Sequence, residues 1–187
     1  MKEIICSAEF QSGWEWAKRA ALKTVGLKPK TKEPTNEWKK KMLLAEHSPI
    51  RNVIYYVSIW NIRQWVTTHL VRHWLGFIPF VHTQREDRRV LEVPRDELPQ
   101  GALNDMDISI NAQSLINVSR KRLCNCASKE TREAWIGVKK AIEKIDPVMA
   151  EQMQPNCIYR GFCPELNSCG FAKTEAFKKL LDEYRKV

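Results

Sequence analysis

Several features that would classify a chain at once are missing from these 187 residues. No stretch approaches the roughly 20 uninterrupted apolar residues that span a bilayer. The first residues lack a long apolar core followed by a small-residue cleavage site. Internal repeats and low-complexity segments are also absent, so nothing favours a repeat architecture. We therefore expect a cytoplasmic protein without a membrane segment.

Acidic residues are in the minority, since 22 Asp and Glu stand against 31 Lys and Arg, for a formal charge of +9. This balance favours anionic partners such as nucleotides, nucleic acid or phosphorylated cofactors, without choosing among them. An apolar fraction of 43% is enough to fill a core. We expect a single domain over 1–187, with an N-terminal strand and helices (1–44), a central part that carries the site (45–150) and a cysteine-bearing tail with a C-terminal helix (151–187).

Hydrophobic periodicity predicts a mixed α/β chain. Residues 53–59 are dense in β-branched and aromatic side chains and predict a buried strand. Apolar positions in 61–73 recur at three and four and predict a helix, whereas 77–94 has no clear period and is predicted as a functional loop. The other predicted elements are a strand at 1–10 and helices after a Ser12 cap, at 37–46, 111–122, 128–149 and 173–184.

The helix predicted at 61–73 combines aromatic, imidazole and guanidinium side chains. At 100° per residue, four of them fall on one face: Trp65, His69, Arg72 and His73. Burying an arginine without a partner is costly, whereas an arginine and two histidines beside an anion gain charge-assisted hydrogen bonds. This face predicts an anion site. The alternative is a salt bridge of Arg72 with structural histidines beside it.

The helix predicted at 111–122 carries an amide at its start and a guanidinium at its end. Asn111 and Arg122 bracket an apolar stripe on one face, while Asn117 is predicted to point away. An amide and a guanidinium fork can read the carbonyl and N–H edge of a planar heterocycle. The alternative is a helix whose polar ends meet solvent. The expected N-cap is one of Asp105, Asp107 and Ser109.

Several short motifs follow one another in a specific order. They are His47-Ser48-Pro49, a β-rich strand, Arg72-His73, Thr83-Gln84-Arg85, Leu98-Pro99, Asn111-Ala112-x-Ser114-Leu115-x-Asn117, Arg122 and the cysteine-bearing tail. In this order and spacing, over about residues 45–170, the chain resembles the flavin-dependent thymidylate synthases.

The resemblance implies a fold, an assembly and a reaction. The expected fold is α/β, with an antiparallel sheet flanked by helices, and the expected assembly is a homotetramer whose sites form between subunits. Flavin adenine dinucleotide (FAD), reduced by NADPH, would lie over deoxyuridine monophosphate (dUMP) and send hydride toward C6 of the uracil. Methylenetetrahydrofolate would supply the one-carbon unit at C5. The protein would orient and polarise the reactants without a nucleophile of its own.

The site residues implied by the resemblance divide into two sets. The flavin-binding set is Ser48, Arg72, His73, Asn111 and Asn117. The nucleotide-binding set is Thr83, Gln84, Arg85, Arg95, His69 and Arg122, with Arg122 at the uracil. Arg122 and His73 are the expected catalytic residues. A phosphate dianion needs several arginine donors and a uracil edge needs a fork, so the four arginines of these sets are expected to converge on one anionic pyrimidine ligand.

Departures from the family pattern fall mainly on the flavin side. They are Trp74 for an arginine, Arg51 for an acid, Phe80-Val81 for an Asn-Glu pair, His69 for a glutamine and Gln113 for an arginine. The central insertion between Arg88 and Arg95 is also shortened. The nucleotide arginines are thus better preserved than the flavin set. The enzymatic alternatives are a dUMP hydroxymethylase and a flavin-free relative with other chemistry on the same nucleotide.

Six cysteines without a secretory signal are more typical of reduced thiols or metal ligands than of a disulfide framework. Cys157, Cys163 and Cys169 are evenly spaced, and Cys124 and Cys126 are possible further ligands of a tetrahedral zinc ion. The gaps are wider than those of zinc hairpins. Reduced packing thiols are therefore the favoured interpretation, with zinc as the alternative.

The non-enzymatic alternative is a module that binds single-stranded nucleic acid. Its bases would stack on Trp74, Phe77 and Phe80, beside Arg85, Arg88 and Arg89. Such binding would weaken steeply with salt, and free nucleotide would compete poorly.

Overall fold

The computed structural model describes residues 2–29, 32–90 and 93–186. Within these ranges, four strands form one antiparallel sheet in the order β1-β2-β4-β3, accompanied by eight α-helices. The strands are β1 (Ile5–Ser12), β2 (Ile54–Arg63), β3 (Phe77–Val81) and β4 (Leu103–Asn111). The helices are α1 (Trp14–Thr24), α2 (Asn36–Leu44), α3 (Gln64–Leu70), α4 (Ala112–Arg122), α5 (Lys129–Ile145), α6 (Pro147–Gln152), α7 (Asn156–Arg160) and α8 (Glu175–Arg185). Across the described residues, none of the helices has the length and apolar character needed to cross a membrane.

The core lies on one face of the sheet, where the two central strands alternate between buried and half-buried side chains. Tyr55, Val57 and Ile59 of β2 are buried, as are Ile108 and Ile110 of β4. A two-residue period places them on the same face. Helix α5 covers this face along β1 and β2. Its buried apolar stripe includes Trp135, Val138 and Ile142.

The opposite face of the sheet is polar and partly exposed. The Tyr56 hydroxyl donates a hydrogen bond to Asp107 at 3.1 Å, which links β2 to β4. One covered face and one solvent-facing face are typical of antiparallel sheets. β3 is the last strand on one side of the sheet, and its residues Ile78 and Phe80 are 57% and 55% exposed. An apolar sheet edge is therefore open on this side.

A buried carboxylate joins three elements at the end of α5. Asp146 Oδ2 accepts a hydrogen bond from Trp14 Nε1 at 2.6 Å and one from the Tyr55 hydroxyl at 2.7 Å. Its Oδ1 accepts from the backbone N of Met149 and so caps α6. Because Pro147 lacks an N–H group, it begins a new helix instead of continuing α5. The single helix predicted at 128–149 is wrong at this point.

Two other predicted elements differ from the observed ones, because strand pairing overrides the local periodicity of the sequence. The helix predicted at 61–73 is limited to α3, since the chain still pairs with β4 as far as Arg63. The first part of the predicted loop at 77–94 is β3, which pairs with β4 between Ile110 and Met106. The predicted strand at 1–10 corresponds to β1, and Met1 lies outside the described residues.

Two predicted helix caps are also wrong. Ser12 ends β1, and Gly13 precedes α1 without a side-chain cap. The three residues expected to cap the helix at 111–122 lie within β4. Asn111 is the cap instead, because its Oδ1 accepts a hydrogen bond from the backbone N of Ser114 at 2.9 Å. One residue therefore ends the strand and begins the helix.

The tail forms a small apolar cluster of its own. Cys157, Ile158 and Phe177 are buried together, with residues of α8 packed against them. Arg120 of α4 links this cluster to the larger core, since its guanidinium carbon lies 3.5 Å from the ring centre of Tyr159. The tail is thus attached to the helix that carries Asn111 as its cap.

Candidate functional site

Arg122, the last residue of α4, is held by the segment around the end of α3. Its Nε donates a hydrogen bond to His73 Nε2 at 2.9 Å, and its Nη2 donates to the backbone oxygen of His69 at 2.6 Å. Two fixed acceptors set the plane of the guanidinium, so its other N–H groups point in defined directions. Arg72 is close enough to act electrostatically on Arg122. Four of the predicted site residues therefore gather here.

His69 is fixed in turn by α5, a contact that no sequence motif indicated. Its Nδ1 lies 2.9 Å from Thr131 Oγ1, and the Ser128 hydroxyl donates to the same Thr131 oxygen at 2.8 Å. Trp65 stands edge-on to the His69 ring at 5.4 Å. A threonine 62 residues away along the chain carries no local signal of this role. Only the packing of α5 near α3 brings it into place.

Burial and positive charge keep the two imidazoles neutral near pH 7. Burial, followed by the charge of Arg122, lowers the pKa of His73 to about 4. Burial, followed by the charges of Arg122 and Arg72, also lowers the pKa of His69. His73 therefore accepts the Arg122 hydrogen bond as a neutral ring, and the positive charge of the cluster rests on its two arginines.

A polar cavity of about 260 Å³ opens beside the start of α4. The polar side chains that line it are Arg51, Asn111, Gln113, Ser114 and Asn117. The 3-10 helix Ser48–Asn52, which contains Ser48 and Arg51, packs against α4. Asn117 lines the same cavity as Asn111, although helical spacing predicted that it points away. The difference arises because Asn111 stands at the cap and not within the helix.

Gly76 allows the turn after His73 to approach the start of α4 closely. A Cβ at this position would overlap the side-chain amide of Asn111 and lie 2.6 Å from Ser114 Oγ, and the Gly76 φ is +65°. The Ser114 hydroxyl donates to the backbone oxygen of Leu75, and the Asn111 backbone N donates to Gly76 O at 3.1 Å. These contacts connect the polar cavity to the group formed by His69, Arg72, His73 and Arg122, here called the Arg122 cluster.

The predicted phosphate-binding residues Thr83, Gln84 and Arg85 lie on the loop that follows β3. β3 itself extends roughly 13 Å from Phe77 to Val81. Arg85 donates through Nε and Nη2 to the Asp87 carboxylate at 2.9 and 2.6 Å, and both side chains are more than half exposed. The backbone N of Arg95 donates to Glu86 at 2.7 Å, which closes the loop.

The predicted site residues thus fall into two groups within one chain. The first comprises His69, Arg72, His73 and Arg122, with Asn111, Asn117 and Ser48 at or near the adjoining cavity. The second comprises Thr83, Gln84, Arg85 and Arg95. Among the described residues, Arg72 interacts electrostatically with Arg122, whereas Arg85 pairs with Asp87 and the Arg95 backbone N donates to Glu86.

The predicted metal candidates Cys157, Cys163 and Cys169 line a second cavity, of about 270 Å³, together with Cys124. All six cysteines carry free thiols. As they stand, the His, Cys, Asp and Glu side chains of the described residues form no group of three or more that could hold a metal ion. The thiols therefore surround a space and do not point at a single ion.

Burial of one aromatic residue weighs against the nucleic-acid alternative. Phe77 is only 2% exposed, and its ring centre lies 6.1 Å from that of His73, so it cannot stack on a base. Trp74 and Phe80 are 76% and 55% exposed. The stacking surface expected from three aromatic residues is thus reduced to two.

No protein-family model matches the sequence, and a comparison with curated proteins finds no match either. Solved structures do match. Thymidylate synthase X (ThyX) from Helicobacter pylori, crystallised with FAD and dUMP, is 15% identical with a TM-score of 0.64, and the match covers 82% of this chain and 99% of that one. The UMP/dUMP methylase PolB from Streptomyces cacaoi, bound with 5-Br dUMP, is 14% identical with a TM-score of 0.62, covering 86% and 96%. The predicted α/β fold with an antiparallel sheet flanked by helices is confirmed, and it is a divergent form of the thymidylate synthase X fold.

Proposed function

We propose that this chain binds dUMP, or a related pyrimidine deoxynucleotide, and modifies C5 of its uracil with the help of a bound flavin. The main observation behind this proposal is the half-buried guanidinium of Arg122. It is held by hydrogen bonds to His73 and to the His69 backbone, and a second arginine, Arg72, lies nearby. A guanidinium fixed in this way suits an anionic ligand rich in carbonyl groups. Support comes from the two structures of the same fold, which were solved with dUMP or its brominated analogue.

Arg122 would orient the pyrimidine ring. Its contacts with His73 and His69 engage Nε and Nη2, so Nη1 can donate to a uracil carbonyl. A positive charge at this carbonyl would stabilise the negative charge that develops on the ring when C6 is attacked. Because His73 is neutral, it would hold Arg122 without adding a charge that competes for the nucleotide.

The residues around the polar cavity fit part of a flavin. Asn111, Gln113 and Asn117 offer amide donors and acceptors, which match the carbonyl and N–H edge of the isoalloxazine ring. FAD, once bound and reduced by NADPH, would supply hydride. The flavin-binding residues in this proposal are Ser48, Arg72, His73, Asn111 and Asn117. A cavity of about 260 Å³ falls below the roughly 300–1,000 Å³ of typical ligand pockets, so one chain would hold only a portion of FAD.

The rest of the site would come from other copies in a homotetramer. The loop with Thr83, Gln84, Arg85 and Arg95 offers phosphate donors, but within one chain Arg85 pairs with Asp87 and the Arg95 backbone N with Glu86. A symmetric assembly can place this loop of one copy against the Arg122 cluster of another. In that assembly the nucleotide phosphate would replace the exposed carboxylate of Asp87 as the partner of Arg85.

The favoured reaction is methyl transfer. Methylenetetrahydrofolate would give its one-carbon unit to C5, C5 would lose its proton, and two electrons, ultimately from NADPH, would reduce the new carbon to a methyl group. A dUMP hydroxymethylase would omit the reduction and take its oxygen from water. The mass of the product nucleotide distinguishes the two reactions.

The proposal is tested by calorimetric titration with dUMP and by the visible spectrum before and after addition of FAD. Arg122→Ala is expected to weaken dUMP binding by about 3 kcal/mol, or roughly 100-fold, because a half-buried charge contact is lost. Lys121→Ala, at the exposed neighbouring position of α4, is the matched control and should bind normally. Unchanged dUMP affinity in Arg122→Ala would refute the assignment. Colourless protein that takes up no flavin yet binds dUMP would favour the flavin-free relative.

A further inference from the structure

Five of the six cysteines gather where the tail meets the loop after α4. Four of them line the cavity of about 270 Å³: Cys124, Cys157, Cys163 and Cys169. They come from three separate segments, namely the loop after α4, helix α7 and the irregular stretch between α7 and α8. Cys126 is exposed, is not among the residues that line the cavity, and hydrogen-bonds with the thiols of Cys124 and Cys169.

These thiols lie close to one another, because Cys163 and Cys169 are near enough to Cys157 to interact with it electrostatically. Neighbouring thiolates repel one another, so a cation among them is stabilised because its positive charge offsets that repulsion. The Lys139 amine lines the same cavity and donates to the Met153 backbone oxygen at 2.9 Å, so a cationic group already stands beside the sulfur atoms.

We propose that Cys124, Cys157, Cys163 and Cys169 are the ligands of a metal centre with four thiolates. Four sulfur donors are the number that a structural zinc site or an iron–sulfur cluster requires. These thiols surround a cavity and, within the described residues, do not yet form a group that could hold an ion. Binding a single zinc ion therefore draws the sulfur atoms inward, whereas a larger iron–sulfur cluster fills more of the cavity.

The segment that carries two of the ligands turns sharply at both of its ends. Cys163 and Cys169 lie in an irregular stretch between Gly161 and Gly170, which both have φ of +81°. Left-handed positions of this kind favour glycine and mark sharp turns. The apolar cluster of the tail is small, and small units often depend on a metal for their stability. The metal would supply the cohesion that the tail core lacks.

Metal analysis of the full-length protein, purified under reducing conditions without chelators, tests the proposal. One zinc ion per chain is expected, or iron with inorganic sulfide in its place. Elemental and sulfide analyses separate the two, and either result supports a centre with four thiolates. Protein without bound metal that also takes up no Co²⁺ when the reduced form is titrated would overturn it. Uptake should give a thiolate-to-cobalt absorption band and release protons.

Single variants test which sulfur atoms are ligands. Cys163→Ser and Cys169→Ser are expected to lower metal occupancy at least about tenfold. The matched control is Cys6→Ser, whose thiol donates to the Ala134 backbone oxygen away from the tail, and it should keep the metal. Should a serine variant fail to fold, the cobalt titration of the wild-type protein decides instead. Metal loss in Cys126→Ser together with retention in Cys157→Ser would overturn the ligand assignment. Binding of dUMP is not the readout, so this outcome is independent of the proposed function.

Discussion

His73 couples the Arg122 cluster to pH. Its pKa in the folded chain is about 4, below the ordinary value of 6.5, chiefly because the ring is buried and secondly because Arg122 is charged. Between these two values the unfolded chain binds a proton that the folded chain does not. The contribution of the neutral His73 ring to the free energy of unfolding is therefore fully present above pH 6.5, and it is lost as the pH falls toward 4. In thermal unfolding across this range, the wild-type midpoint should fall more steeply than that of His73→Gln.

An NMR titration separates this effect from other groups that change charge in acid. The His73 ring should stay neutral down to about pH 5. In Arg122→Met its pKa should rise toward 6.5, because the nearby charge is gone. Lys121→Met should leave it unchanged. A wild-type His73 midpoint near 6.5, or equal slopes in the melting series, would contradict the buried arrangement.

At the scale of elements, Asn111 has two separable roles. Its Oδ1 caps α4, and its side chain lines the polar cavity. Asn111→Ala should lower the free energy of unfolding by roughly 1 kcal/mol, since the cap is lost. Asn111→Asp keeps a capping oxygen and should retain most of that stability, but it removes the amide donor. Denaturant titration measures the first role and FAD titration the second. Flavin uptake by Asn111→Asp at the wild-type level would contradict the cavity assignment.

Elements whose signals are local could be predicted from the sequence, and elements defined by distant partners could not. The strand at 53–59 and the helix at 111–122 carry their own periodicity, and both are present as β2 and α4. β3 is a five-residue edge strand that contains Pro79 and lacks regular alternation, so only its pairing with β4 defines it. For the same reason Thr131 could not be predicted as a site residue, since its contact with His69 depends on the packing of α5 near α3.

Motif order indicated which residues belong to the site but not how they are distributed. It selected Arg122, His73 and His69, which the fold does bring together. It could not reveal that the segment between the Arg72-His73 and Thr83-Gln84-Arg85 motifs forms an edge strand, because its pairing partner β4 is distant in the sequence. Residue types and spacing thus selected side chains that the fold brings together, but they did not predict how those side chains are arranged.

For the molecule as a whole, Asp146 is the most consequential buried polar group described above. It accepts hydrogen bonds from Trp14 and Tyr55, which belong to α1 and β2. Asp146→Ala leaves two buried donors without an acceptor and should cost about 3 kcal/mol or more in unfolding free energy. Tyr55→Phe removes one donor and should cost only about 1 kcal/mol. Asp182→Ala, on the exposed side of α8, is the control. Equal stability of Asp146→Ala and this control would contradict the account.

Assembly is the second question at this scale. Ile78 and Phe80 of β3 are exposed apolar side chains, and so is Trp74 shortly before this strand; these three residues are called the apolar strip. We expect this strip to be covered in a homotetramer, since large exposed apolar surfaces mark contacts between proteins. Phe80→Lys should give smaller species in light scattering and weaker dUMP binding, while Val25→Lys, also at an exposed apolar position, should change neither. A wild-type monomer with full dUMP affinity would contradict the shared site.

Helix α4 spans the distance between the polar cavity and Arg122, and Cys124 enters the sulfur-lined cavity two residues later. Only Leu123 separates Cys124 from Arg122, so a displacement of Cys124 would be passed almost directly to Arg122. If the tail binds a metal and the Arg122 cluster binds a nucleotide, as proposed above, reciprocity requires each ligand to change the affinity of the other by the same factor.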